Sequence, residues 1–139
     1  MKGIMTYLSR ARLPWIVALC LALAGCKRSE AGDSADSGYA TRTSSGDISF
    51  EVTPRGVVDG RFAVEIRANT HRGDLADLDL GNIVTLIADG RELKPAQADR
   101  LRGHHAAGSI AFQIDSAPAR FEIVMRGARD LPEQRFQWP

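Results

Sequence analysis

Three histidines, one isolated cysteine and a short run of aspartates are the residues of this chain best equipped for chemistry. His71 lies in NTHRGDL, and His104 and His105 stand side by side in GHHAAGS. Neutral imidazole nitrogens match borderline metals, so with a carboxylate from Asp74 or Asp77 these rings would suit Zn²⁺ or Cu²⁺. The same rings can instead bond backbone carbonyls and latch two loops together, with Gly103 and Gly108 supplying turn conformations. Spacing alone leaves both readings open. Asp74, Asp77 and Asp79 in DLADLDLG miss the calcium-loop pattern, which needs three Asp or Asn at alternate positions followed directly by glycine, and read as a solvated loop. A Gly-x-Ser-x-Gly elbow, a phosphate-cradling glycine loop and a CxxC pair are all missing from the sequence. A hydrolase built on His105 and Asp74 has the least support, and the chain is not expected to be an enzyme.

Cys26 belongs to a different object, the first 26 residues. Lys2, Arg10 and Arg12 make a positive leader with no acid, Ile16 to Ala24 (IVALCLALA) is apolar, and small Ala24 and Gly25 precede the cysteine. That is the three-part pattern of an export signal, and its apolar part falls short of the about 20 residues a spanning helix needs. Leu23-Ala24-Gly25-Cys26 resembles the lipobox of bacterial lipoproteins. The resemblance implies cleavage before Cys26, a diacylglyceryl group on its sulfur and an acylated new amino end. Two or three acyl chains anchor firmly, where one would exchange. In Gram-negative lipoproteins an aspartate after the cysteine marks retention in the inner membrane. Lys27 stands there instead, so the resemblance places the protein on the periplasmic side of the outer membrane.

Removing the leader takes three bases and no acids from 18 basic and 17 acidic residues, leaving 15 against 17 and a net charge of −2. Nucleic acid is therefore not an expected partner. Cys20 leaves with the leader and Cys26 carries lipid, so a disulfide is not available and the fold must stand on its core. Residues 27–46 (KRSEAGDSADSGYATRTSSG) are polar and rich in serine and glycine. That composition suits a flexible linker from Cys26 reaching roughly 25 Å, followed by one domain over residues 47–139.

Within that domain the apolar period is two, the period of half-buried strands. Ile48, Phe50 and Val52 alternate with polar neighbours, as do Phe62, Val64, Ile66 and Ala68, then Ile110, Phe112 and Ile114, then Phe121, Ile123 and Met125. Ile83–Ala88 reads as a central strand, Asp89-Gly90 as a type I′ turn into a short strand near Glu92–Lys94, and Phe136 with Trp138 as the last strand. Pro54-Arg55-Gly56 reads as loop punctuation, and Pro95 to Arg102 has proline placed to begin a helical turn. About seven short strands at this spacing suggest an all-β, immunoglobulin-like antiparallel β-sandwich. In that topology the second and fifth strands pair, which would gather His71, His104 and His105 at one end.

The NTH tripeptide closing a strand, the following DL, the Asp-Gly hairpin, the GHH before an apolar strand and the terminal RG…LPE…F.W resemble a group of uncharacterised immunoglobulin-like domains. These occur on secreted or lipid-anchored chains of bacteria and archaea. The resemblance spans most of residues 48 to 138 and makes His71, His104 and His105 the shared feature. The functional expectation is a lipid-anchored envelope protein with a non-catalytic domain for protein interaction or envelope structure. The alternative is a Zn or Cu module using His71, His104, His105 and Asp74.

Overall fold

The computed structural model describes residues 38–127 and 131–139; the expected export signal and the expected lipidation site, Cys26, lie outside the described residues. Nine strands are present among them: β1 (Arg42–Thr43), β2 (Ile48–Val58), β3 (Arg61–Thr70), β4 (Val84–Ala88), β5 (Arg91–Leu93), β6 (Gln97–Ala98), β7 (His105–Phe112), β8 (Phe121–Met125) and β9 (Gln134–Trp138). A 3₁₀ turn at Leu75–Asp77 and one short helix, α1 (Leu80–Ile83), separate β3 from β4.

The strands form two antiparallel sheets, ordered β1-β2-β3-β7-β6 and β5-β4-β8-β9. Leaving out β1, this is the A-B-E-D and C′-C-F-G arrangement of an immunoglobulin-like sandwich. Inward residues of the first sheet, Phe50, Val52, Phe62, Val64 and Ile66, face Leu86, Ile123 and Met125 of the second, and all eight are fully buried. The period-two pattern therefore does what it announces: each strand gives alternate side chains to one shared core. Two hairpins close on Asp59-Gly60 and Asp89-Gly90, where both residues of each pair have positive φ, as a type I′ turn requires.

The two ends of the sandwich differ. At one, Phe121 stacks on Trp138 with centroids 5.0 Å apart, and Phe62 meets Phe121 edge-on at the same 5.0 Å. Tyr39 completes this cluster, at 5.5 Å from Phe121 and 6.2 Å from Phe62. At the other end lie the β3–β4 loop and the entry to β7.

Several expectations need correction. The sandwich has nine strands rather than about seven, the additions being β1 and β6 with two residues each. Residues 38–46, expected as linker, belong to the fold: β1 pairs with β2, and the Trp138 indole N–H donates to the Ala40 carbonyl at 2.7 Å. Pro54-Arg55-Gly56 is a strand with a bulge, since Pro54 pairs with Val64 and Gly56 with Ala63. Proline is tolerated there because the ladder is already interrupted, and Gly56 takes φ +76. Pro95 to Arg102 forms no helical turn. Its backbone bonds the edge of β7, through Gln97↔Ala111, Ala98↔Ile110 and the Ala96 N–H to the Ala111 carbonyl at 2.8 Å. β7 starts at His105, earlier than the apolar run suggests, because Ala106, Ala107 and Gly108 are too small to show the alternation.

Candidate functional site

The end of the sandwich away from the aromatic cluster is built by hydrogen bonds between distant segments. β3 finishes at Thr70 and β7 begins at His105, with Asn69 opposite His105 in the ladder. The Thr70 N–H extends the pairing by donating to the His104 carbonyl at 2.9 Å. The Thr70 side chain is buried, and its hydroxyl donates to the Arg72 carbonyl at 2.7 Å and accepts from the Arg72 N–H at 3.1 Å. A tight turn out of the strand results.

Asp74 then ties the loop down. One oxygen, Oδ1, accepts the Ala76 N–H at 2.8 Å, which caps the 3₁₀ turn, and the Gly103 N–H at 2.7 Å. The Leu75 N–H returns a bond to the Gly103 carbonyl at 2.9 Å. Gly103 sits at φ +77, a conformation in which a side chain is strained. These two amide bonds, the Ala76 one first, hold the Asp74 carboxyl below the usual aspartate range, and the charges of His104 and Arg102 act in the same direction. Asp79 repeats the device one turn later, accepting the Gly81 N–H at 3.0 Å through Oδ1 and the Asn82 side-chain amide at 2.7 Å through Oδ2. Asp74 and Asp79 are thus helix caps, a role DLADLDLG carried in its pattern of aspartate before an apolar residue.

The expected donors His71, His104, His105 and Asp74 do collect at this one end. They do not converge. His105 faces outward from β7, and its Nδ1–H donates to Asn69 Oδ1 at 2.9 Å. His104 precedes it in the bend that leads from Gly103 into β7. All three histidines are exposed. Among the described residues there is no group of three or more His, Cys, Asp or Glu side chains arranged to hold a metal ion. The latch between the two loops is made by the Asp74 carboxylate and by backbone bonds, not by ring nitrogens on carbonyls. Gly108 does not shape a turn either. It lies inside β7 opposite Ile66, and a Cβ there would come within 3.0 Å of Asp99 Cβ and Leu101 Cδ2. Its role is to let the 99–101 segment lie close against the strand, where Leu101 enters the core and Asp99 Oδ2 accepts the Ser109 N–H at 2.8 Å.

Beside the Asp74 latch opens a cleft of about 940 Å³ between the start of β2, the end of β3, the β3–β4 loop and the segment leading into β9. Its lining includes apolar Ile48, Leu78, Leu131 and Pro132 together with charged Asp47, Asp74, Asp77 and Arg72. Sequence reasoning did not find this cleft. In the sequence Asp47 marks only the start of the domain, 85 residues before Pro132, and the packing of the two sheets brings them together. Comparison with family models, with curated proteins and with solved structures finds no match to this chain. The lipobox and NTH/GHH resemblances therefore rest on their own residues.

Proposed function

We propose that this chain is a lipid-anchored protein of the bacterial cell envelope whose sandwich is a non-catalytic binding module. Two features support that reading. LAGC at residues 23–26 carries the residue types that lipid attachment needs, a thiol behind small side chains and an apolar run. The observation that carries the binding role is the position of the cleft. The described fold begins at Gly38 and ends at Pro139, both beside the Tyr39–Phe121–Trp138 cluster, and the cleft opens at the opposite end. An anchor upstream of Gly38 joins the domain at the end that leaves the cleft free.

The cleft chemistry points to a protein partner. A lining that mixes four apolar side chains with three carboxylates and one guanidinium suits a partner segment with an aliphatic side chain flanked by basic groups. The periplasmic face of the outer membrane is the compartment this reading assigns, with Lys27 after Cys26.

Site-specific photo-crosslinking in the native envelope tests it. A crosslinking residue at Asp77, in the cleft lining, is expected to capture a discrete partner band, and one at Arg91, near the aromatic end, is not. Equal capture at both positions, or none at Asp77, overturns the binding role. Intact mass of the protein from its native membrane tests the anchor: a retained leader or an unmodified Cys26 overturns it.

A further inference from the structure

Val57 and Val58 are exposed large hydrophobic residues, at 40% and 49% of their full accessibility, in a domain whose other large apolar side chains are mostly buried. They stand next to each other at the tip of the β2–β3 hairpin, immediately before the Asp59-Gly60 turn. The Pro54/Gly56 bulge shifts the register so that Val57 pairs with Phe62 and Val58 with Arg61. Phe62 is also a ring neighbour of Tyr39, at 6.2 Å. The exposed tip and the point where the chain enters the fold are therefore at the same end, both beside Phe62.

We infer that the Val57-Val58 hairpin tip docks on the bilayer surface that holds the lipid anchor. This rests on the lipid-anchored reading. Cys26 and Gly38 are twelve residues apart in the sequence, a path of about 40 Å at full extension. A tether that short keeps the tip within reach of the membrane at high effective concentration, so a contact too weak to recruit a free protein becomes an intramolecular one. Two valines are a contact of that size: they have apolar area to lose from water, while Asp59 and Arg61 beside them stay at the hydrated headgroup level.

Charge does not drive the docking. Around this end Arg61, Arg91 and Arg120 are exposed, and so are Asp59, Asp89 and Asp115, so neither sign prevails among these exposed side chains. The contact is therefore apolar, insensitive to salt and to the anionic fraction of the bilayer. Docking sets the orientation of the domain. With the hairpin tip down, the cleft beside Asp74 points away from the lipid surface.

The test uses the mature lipidated protein in vesicles of phosphatidylethanolamine with a minority of anionic phosphatidylglycerol. An environment-sensitive fluorophore is placed at Arg61→Cys beside the tip, and in a second sample at His104→Cys at the far end. Cys20 has left with the leader and Cys26 is blocked by lipid, so the label reacts at one thiol. Quenching by bilayer-borne quenchers is expected at position 61 and not at 104, and Val57→Asp with Val58→Asp is expected to abolish it while the protein still floats with the vesicles. Raising salt is expected to leave it unchanged. Equal quenching at the two positions, or quenching that survives the double substitution, overturns the docking. A protein that fails to float overturns the anchor itself and the docking with it; one that floats with an unquenched tip overturns the docking alone.

Discussion

Asp74 Oδ1 and the Gly103 amide meet at 2.7 Å although 29 residues separate them in the chain. The same oxygen caps the 3₁₀ turn through the Ala76 N–H, so one carboxylate both starts a local element and joins it to the entry of β7. Asp74→Ala is expected to lower the unfolding midpoint and to speed amide exchange at Ala76 and Gly103, leaving exchange in β8 unchanged. Because the folded pKa of Asp74 is lowered, its stabilisation is fully present above the unfolded value of about 3.9 and is lost as pH falls through the folded value. Protection of the Gly103 amide, the intrinsic exchange rate over the observed one at each pH, should therefore fall on acidification below about pH 4 in the natural protein and stay constant in the alanine variant.

Gly108 has no room for a branched side chain. With Asp99 Cβ and Leu101 Cδ2 at 3.0 Å from an added Cβ, Gly108→Val must push the 99–101 segment off β7 and drag Leu101 out of the core. A loss of about 1–3 kcal/mol is expected by urea denaturation. An unchanged midpoint would show that the segment yields freely.

Thr85 lies in β4 at 1% exposure, and its hydroxyl is the one buried side-chain oxygen or nitrogen among the described residues that lacks a hydrogen-bond partner. Valine has nearly the same shape and nothing to leave unsatisfied. Thr85→Val is expected to raise stability by about 1 kcal/mol. A drop on thermal or urea unfolding would mean that the hydroxyl has found a partner in solution.

Tyr39 tests where the domain begins. Its edge contacts with Phe62 and Phe121 should make Tyr39→Ala cost about 1–2 kcal/mol. A chain starting at Asp47 loses β1 and this ring together and should be less stable than one starting at Gly38. Equal midpoints for the two would return residues 38–46 to the linker.

Metal affinity is expected to be weak. Asp74 Oδ1 is committed to two amides and the His105 Nδ1–H to Asn69. Adding one equivalent of Zn²⁺ or Cu²⁺ to the protein should leave the unfolding midpoint in place. A stoichiometric upward shift that His105→Ala removes would restore the metal reading.

The class of fold was legible in the sequence because alternation is a local consequence of the pleat. Phe62, Val64, Ile66 and Ala68 announce their buried face wherever the strand goes, and Asp89-Gly90 announces its turn because positive φ suits few residue pairs. The gathering of His71, His104 and His105 at one end followed from strand order alone. The proposed LAGC reading is likewise a property of the linear chain, since a lipobox is four consecutive residues and not a folded surface. Tertiary structure decided the rest, and for one reason: a hydrogen-bond ladder joins residues by register, which composition does not encode. Nothing near Gly103 indicates that its amide belongs to Asp74, nothing near Pro54 that a strand continues through a bulge, and nothing in GYATRT that Tyr39 fills the space between Phe62 and Phe121. The cleft exists only where the ends of two packed sheets diverge, so its lining comes from four separate segments, and no stretch of sequence contains it.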